Sequence, residues 1–238
     1  MCGRYKLTAQ EKWLSFLFNL SPEDVDWAAR WNVAPTQEVA TIRQHARDPR
    51  RIFGLMRWGL IPSWAKDASI GPKAINAVSE TAAEKPAFRE PMRRQRCLIP
   101  ADGFYEWKQS GGKVRQPYKI EMADGRVFAF AGLWDSWKDP GGREHVTCTI
   151  LTTEANPLLK DIHHRMPVIL KPEDYDLWLD PGVTNPAKVA DLLKPFDGRQ
   201  MRRHTVGQAV NHVANDGPEC AEEIEVAEAA EQLDFFKS

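Results

Sequence analysis

Short apolar stretches separated by turn residues predict a chain with many strands and few helices. Apolar residues at helical spacing between Trp13 and Leu20 follow a T-x-x-E capping box, Thr8 to Glu11, and predict the first helix. A second helix start is predicted at residues 21–24, and later helices at 172–179 and 184–193. Strands are predicted at 3–7, 37–44, 51–60, 104–108, 114–122, 127–133, 144–152 and 200–206, with a hairpin turn at 110–113.

These elements do not alternate as strand, helix, strand, so a parallel sheet with crossover helices is not indicated. The predicted class is α+β, a single domain with a mostly antiparallel, curved or barrel-like sheet and peripheral helices. Strand periodicity turns Glu106 away from the face that Tyr105 and Trp107 share. An extended run is also predicted from residue 163 to 170, so alternation places His163 and His164 on opposite faces.

Composition narrows the protein class. The 238 residues suffice for one large domain, and no apolar run of about 18 residues predicts a membrane span. Charged residues interrupt the first 12 positions, so a signal peptide is not expected. We expect a cytoplasmic location, in association with the nucleoid if the host is bacterial. The four cysteines are far apart without a C-x-x-C pair, which argues against a zinc or disulfide scaffold. We expect a monomer without metal or cofactor.

Charge is distributed unevenly along the chain. Residues 218–238 carry seven acidic groups and one lysine, whereas residues 1–217 carry 31 basic and 26 acidic groups. The predicted organisation is therefore a domain at 1–217 and an acidic tail at 218–238. A mildly basic body suits a polyanion, although a solvated surface explains it almost as well, and the tail is expected to weaken such binding, whether it docks or stays solvated.

Cys2 is the leading candidate for chemistry. Loss of Met1 would leave an amine and a thiol on adjacent carbons, a 1,2-aminothiol. The amine attacks an aldehyde to form an imine, and the thiol closes that imine into a five-membered thiazolidine ring. Reference pKa values of about 8 for the amine and about 8.5 for the thiol place both groups near neutrality. The alternative is a small apolar residue that serves only packing.

A loop rich in tryptophan follows the predicted strand at 51–60. It reads Trp58-Gly59-Leu60-Ile61-Pro62-Ser63-Trp64. A loop tryptophan either plugs the core or offers a platform on which a nucleic-acid base stacks. The sequence leaves both interpretations open.

Five separated motifs, in a fixed order, resemble the SRAP (SOS response-associated peptidase) family. They are Met1-Cys2-Gly3-Arg4, Asn32-Val33-Ala34-Pro35-Thr36, Trp58 to Pro62 with Trp64, Asn76-Ala77 with Ser79-Glu80-Thr81, and Gly103 to Trp107 together with His163 and Arg165-Met166-Pro167. The resemblance implies a protein that captures abasic sites in single-stranded DNA, its expected partner.

The resemblance also implies roles for individual residues. Met1 is removed, and Cys2 attacks the ring-opened aldehyde of an abasic deoxyribose to form a thiazolidine DNA-protein crosslink. Asn76 orients Cys2, Glu106 acts as acid and base for the amine and imine steps, and His163 donates a proton that helps open the sugar. Histidine titrates near neutrality, and a carboxyl of raised pKa can shuttle a proton, so both side-chain types suit these steps.

Further residues match family positions that contact DNA. Arg4 and Arg165 match positions that grip phosphates, and Pro35 and Trp64 lie on loops that unstack or support bases beside the lesion. The family often has arginine directly after Asn-Ala, where this chain has Val78. One phosphate contact is therefore expected to be missing or supplied from elsewhere.

Two other functions remain open from the sequence. A cysteine peptidase would use Cys2 as nucleophile with Glu106 or His163 as base, but it needs an oxyanion hole that no motif supplies, and self-removal of Met1 is its expected proteolytic act. A noncatalytic single-stranded DNA module would bind through Arg4, Arg165 and Trp64 while Cys2 stays inert.

Overall fold

Two β-sheets dominate the computed structural model, which describes residues 2–44, 50–109 and 115–225. The strands are β1 Tyr5–Leu7, β2 Arg30–Val33, β3 Glu38–Gln44, β4 Arg51–Trp58, β5 Asn76–Val78, β6 Arg96–Ala101, β7 Gly103–Gln109, β8 Arg115–Met122, β9 Phe128–Lys138, β10 Glu144–Glu154, β11 Arg165–Pro167, β12 Ile169–Leu170 and β13 Met201–Thr205. The α-helices are α1 Glu11–Phe18, α2 Ser79–Ala82, α3 Arg89–Arg94 and α4 Tyr175–Leu179. The 3₁₀ helices are Pro22–Asp24, Ala68–Lys73, Pro172–Asp174, Pro186–Leu193, Gly198–Gln200, Gln208–Asn211 and Pro218–Cys220.

The second sheet closes on itself. The first sheet has the order β13-β8-β7-β1-β2, and the second runs β11-β10-β4-β3-β6-β9-β12 with β5 beside β10. Because β9 also pairs with β10, strands β10, β4, β3, β6 and β9 form a closed ring of five strands. Only the β4–β10 and β5–β10 pairs are parallel among the described strands. The predicted α+β class with a barrel-like, mostly antiparallel sheet is confirmed.

An aromatic cluster joins the two sheets behind the N-terminus. Tyr5 of β1 makes edge contacts with Trp58 and Phe130, at centroid distances of 5.6 and 5.7 Å. Phe130 in turn contacts Phe104 and Phe128 at 6.0 and 5.3 Å. Edge-to-face aromatic pairs stabilise beyond their buried area, by about 0.5–1.5 kcal/mol each. The cluster therefore holds β1, and with it the backbone after Cys2, against the barrel.

The start of α1 differs from the predicted capping box. Helix α1 begins at Glu11 after Gln10, and no side chain caps it. Thr8 instead directs its backbone N–H and its hydroxyl to Asp102 Oδ2, both at 2.7 Å, and Glu11 Oε1 accepts from the Trp27 N–H at 3.3 Å. Long-range partners have replaced the local cap, so the predicted box was wrong although the helix was right.

Two other predicted helices are shorter or tighter than expected. The helix start at residues 21–24 leads only to the three-residue 3₁₀ turn Pro22–Asp24, and the segment 184–193 is the 3₁₀ helix Pro186–Leu193. The predicted turn at 110–113 and tail residues 226–238 lie outside the described residues. No helix among the described residues is long and apolar enough to cross a membrane.

The chain after β13 packs against β2. The buried Asn32 side chain donates to the carbonyls of Val210, His212 and Asn215, and Asp216 Oδ1 accepts from the Asn32 N–H at 2.8 Å. The chain stays packed beyond this point, because Cys220 is fully buried. The division between domain and tail at residue 217 remains a prediction.

Candidate active site

Cys2 lies where the two sheets meet. Its side chain is fully buried, directly before β1, and its thiol donates weakly to the carbonyl of Arg4 at 3.9 Å. Asn76, at the start of β5 on the barrel, donates from Nδ2 to the Cys2 carbonyl at 2.8 Å. The predicted pair of Cys2 and Asn76 is thus in contact, and the amide restrains the backbone of Cys2.

Glu106 shares this buried environment. Strand alternation places Tyr105 in a separate small cluster with Val206 and Cys220, whereas Glu106 projects from the other face and is only 4% exposed. Burial raises the pKa of Glu106 to about 7. Burial also raises the pKa of the Cys2 thiol, and the nearby charge of Glu106 raises it further. The resting thiol is therefore protonated, next to a carboxyl that is poised between its two protonation states at neutral pH.

His163 and His164 differ from the sequence expectation. The chain before β11 is a turn, since the Leu159 carbonyl accepts from the N–H groups of both Ile162 and His163 at 2.9 Å, and the strand begins only at Arg165. The two imidazole rings stack with centroids 4.4 Å apart and planes 23° apart. The predicted alternation, which separates the two histidines, was wrong because it holds only in extended backbone.

The backbone of Arg165 orients the half-buried His163 ring. The Arg165 N–H lies 3.0 Å from His163 Nδ1 and donates to it when that nitrogen carries no proton. The Arg165 carbonyl lies 3.2 Å from the same nitrogen and accepts a hydrogen bond when the ring is doubly protonated. Burial lowers the pKa of His163. Both protonation states thus have a backbone partner, which suits a group that gives and regains a proton.

Of the two predicted phosphate-gripping arginines, Arg165 already holds an anion. Its Nη1 and Nη2 donate to Glu80 Oε1 and Oε2 at 2.8 and 2.7 Å, and Nη2 also donates to the Thr152 carbonyl at 2.5 Å. Arg4 is half-buried, and burial lowers its pKa. Its Nε is buried and has no hydrogen-bond partner among the described residues.

The tryptophan-rich loop contains one buried and one exposed tryptophan. Trp58 is fully buried and donates from Nε1 to the Ile75 carbonyl at 2.8 Å, so it is a core residue. Trp64 is 62% exposed, while its backbone neighbours are held: the Ser63 N–H donates to Asp135 at 2.8 Å and the Ala65 carbonyl accepts from Trp137 Nε1 at 2.7 Å. The exposed indole on this fixed loop is accessible to a base, and its role as a stacking platform stays a prediction.

Two further positions around the site are exposed or half-exposed. Pro35 is half-buried and precedes Thr36, whose φ of 70° marks a tight turn. Val78 is 36% exposed, which is consistent with a position where an arginine would reach solvent.

Glu80, the partner of Arg165, was not predicted as a functional residue from the sequence, although it belongs to one of the five motifs. Nothing local in the sequence pairs it with a residue so distant.

One group of side chains on the edge of the first sheet resembles a metal site. Ligand atoms of Glu121, His204 and Glu223 all lie within 4.8 Å of one another. The Lys119 ammonium, however, lies 3.7 Å from Glu121 and 3.3 Å from Glu223. Arg202 also pairs with Glu121 at 2.7 Å, so two protein cations already balance the two carboxylates and these residues do not fit a divalent cation.

Known proteins match most of this chain in sequence. The family model described as SOS response associated peptidase (SRAP) matches residues 1–213. The abasic site processing protein YoqW of Bacillus subtilis is 44% identical over 225 residues, covering 93% of this chain and 99% of the relative. The abasic site processing protein HMCES of Gallus gallus is 35% identical over 209 residues, 78% of this chain and 61% of that protein.

A solved structure extends the likeness to three dimensions. The crystal structure of a protein from Bacteroides thetaiotaomicron superposes with a TM-score of 0.83 at 29% identity, covering 94% of this chain and all of the other. The match begins at residue 1 and spans the motifs that bring Cys2, Asn76 and Glu106 together. This chain therefore belongs to the SOS response associated peptidase family, and its curated relatives are named abasic site processing proteins.

Proposed function

We propose that this protein, after losing Met1, captures abasic sites in single-stranded DNA through Cys2 as a thiazolidine crosslink that shields the lesion. The observation that carries the proposal is the buried Cys2, restrained by Asn76 and electrostatically coupled to a carboxyl with a pKa of about 7. Relatives named abasic site processing proteins support the choice of DNA lesion. DNA contacts are assigned to Arg4, Pro35, Trp64 and Arg165.

The first step exposes the aldehyde. An abasic deoxyribose is mostly a closed hemiacetal, in which the reactive carbonyl is hidden. His163 in its doubly protonated form gives the Nε2 proton to the ring oxygen as the bond between that oxygen and C1′ breaks. The C1′ hydroxyl passes its proton to solvent water as the carbonyl forms, and the neutral imidazole regains a proton from solvent. The sugar is neither oxidised nor reduced, and the aldehyde becomes available to the Cys2 amine.

The next steps build the ring and release one water. The amine of Cys2 adds to C1′ to give a carbinolamine, and Glu106 in its protonated form donates to the departing hydroxyl, which leaves as water. The product is an iminium whose nitrogen keeps its proton. The thiol then adds to the iminium carbon while its proton passes to the Glu106 carboxylate, which restores the protonated carboxyl. Because the Cys2 thiol is protonated at rest, a neighbouring base that accepts its proton is required at this step.

Removal of Met1 is a precondition of this chemistry. With Met1 in place the Cys2 nitrogen is an amide and cannot form an imine. We assign this removal to the protein itself, as its hydrolytic activity. The intact mass of freshly purified protein is expected to lack Met1, and the mass of the Cys2→Ala variant is expected to retain it if removal is autocatalytic.

A denaturing gel tests the capture itself. Mature protein is incubated with two labelled oligonucleotides that differ only by one abasic site. We expect a band that survives denaturant with the lesion alone, that Cys2→Ala abolishes, and that Cys2→Ser replaces with a labile adduct. Binding of both oligonucleotides without a covalent band would instead favour a noncatalytic DNA module, and cleavage of added peptide would favour a general cysteine peptidase.

A further inference from the structure

The terminal nitrogens of the Arg165 guanidinium already donate to two protein groups. Glu80 takes one N–H from each terminal nitrogen, and the Thr152 carbonyl takes the second N–H of Nη2. Nε is buried and without a partner among the described residues. The edge that Glu80 occupies is therefore the edge from which another anion could reach two N–H groups at once.

Glu80 is the more accessible of the two partners. Its side chain is 46% exposed, whereas that of Arg165 is 14% exposed. Glu80 also lines a cavity of about 510 Å³, together with Ser79, Thr153 and Glu154. The carboxylate thus has both solvent and open space into which it can turn, while the arginine is fixed by Thr152.

We propose that Glu80 is an internal phosphate mimic that competes with the DNA backbone for Arg165. The inference rests on the proposed function, in which Arg165 contacts a phosphate. A carboxylate and a phosphate both present two oxygens to a guanidinium fork, so they exclude each other on the same edge. In the free protein Glu80 neutralises Arg165, and DNA gains this contact only by displacing it.

The competition sets how strongly intact DNA is held. Every strand offers phosphates, but only a lesion offers an aldehyde for covalent capture. Because Glu80 weakens the phosphate contact of Arg165, it lowers reversible binding to all strands equally. Which strand stays bound then depends on the irreversible crosslink at an abasic site. Glu80 is a specificity-determining residue in this sense, and not a catalytic one.

The test is neutralisation of Glu80 in the full chain. Glu80→Gln keeps the size and removes the charge, and the dissociation constant for an intact single-stranded oligonucleotide is measured across a range of salt. We expect about two- to fivefold tighter binding at low salt, as for a half-exposed ion pair. The plot of log affinity against log salt should steepen by up to about 0.7, as for one more phosphate neutralised on a single strand.

Glu154→Gln is the matched control. Glu154 lies opposite Arg165 in the β10–β11 pair and lines the same cavity, but its carboxylate is not the one on the Arg165 fork. The loss of charge near the DNA is the same in both variants. An equal gain in affinity in Glu154→Gln would overturn the proposal, because the effect would then be general charge repulsion.

A double-mutant comparison isolates the pair. In an Arg165→Gln background, Glu80→Gln should change affinity little, since the contested cation is gone. Weaker binding by the single variant Glu80→Gln would also overturn the proposal and make Glu80 a support for Arg165. The abasic crosslink should still form in Glu80→Gln. If the wild-type protein showed neither reversible DNA binding nor crosslinking, the proposed function itself would be wrong. That result differs from an unchanged affinity in Glu80→Gln, which would contradict only the competition between Glu80 and DNA.

Discussion

The buried centre and the exposed face of this site use charge in opposite ways. Glu106 is almost fully buried, and the loss of water raises its pKa to about 7. Glu80 is half-exposed, and hydrogen bonds from Arg165 lower its pKa. We therefore expect the two glutamates to differ in function: the first would exchange protons near neutrality, and the second would stay an anion that other anions can replace. Burial shifts the pKa of a carboxyl toward neutrality, whereas exposure lets a carboxylate be replaced reversibly by another anion.

Glu106→Gln is expected to produce the largest effect. The amide keeps the shape but cannot carry a proton between water, nitrogen and thiol. Single-turnover crosslinking should slow by roughly 10²- to 10⁴-fold, the range typical of a lost acid or base, while DNA affinity stays within a few-fold. Glu38→Gln, an exposed carboxylate at the start of β3, is the control and should crosslink normally.

His163→Ala should slow crosslinking in the same range, because ring opening loses its proton donor. His164 sharpens the comparison. Its ring stacks on His163, so His164→Ala should cost a smaller factor, about two- to tenfold, through lost positioning. Equal losses in the two variants would mean that the pair acts as a unit, and no loss in His163→Ala would remove it from the mechanism.

The stability of the protein should report the raised pKa of Glu106. Between pH 4.5 and 7 the folded protein holds a proton that the unfolded chain has released, so the free energy of unfolding falls as pH rises through this window. The loss amounts to about 3 kcal/mol from this group alone. Chemical denaturation at pH 5 and pH 8 measures it, and the difference between the two pH values should shrink by that amount in Glu106→Gln. An unchanged difference would place the Glu106 pKa near its ordinary value.

Trp64→Ala tests the exposed face. A base stacked on an aromatic ring is worth about 1–3 kcal/mol, so affinity for single-stranded DNA should fall by about five- to 150-fold. Crosslinking at saturating DNA should change little. Trp13→Ala is the matched control, since that indole is 54% exposed on α1. Similar losses of affinity in both variants would mean that the effect does not depend on the position of Trp64.

The tail should give the smallest effect. A truncation ending at Gly217 removes the buried Cys220, so a truncation ending at Glu225 is the cleaner variant. The segment removed carries three acidic residues and one lysine. Affinity for single-stranded DNA at low salt should rise by less than about threefold, and the gain should vanish near 1 M salt, where screening is complete within ~3 Å. Weaker binding after truncation would mean that the tail supports DNA contact.

Much of the fold was readable from local pattern. The strands at 37–44, 114–122 and 144–152 appear within two residues of the predicted bounds, because alternation and β-branched content are properties of neighbouring residues. Errors occurred where a distant partner or a turn overrode the pattern, as at the Thr8 cap and at His163. The ordered motifs, from Cys2 to Arg165, were enough to indicate the family.

The sequence by itself determined the positions of most strands along the chain, the family and the aminothiol that Cys2 can present. Tertiary structure alone decided which of two tryptophans faces solvent, that Glu106 loses its water, and that Arg165 is bound to Glu80, 85 residues away. The physical reason is range. Propensity and periodicity act between neighbours in sequence, whereas desolvation and ion pairing depend on which remote segments the closed barrel brings together.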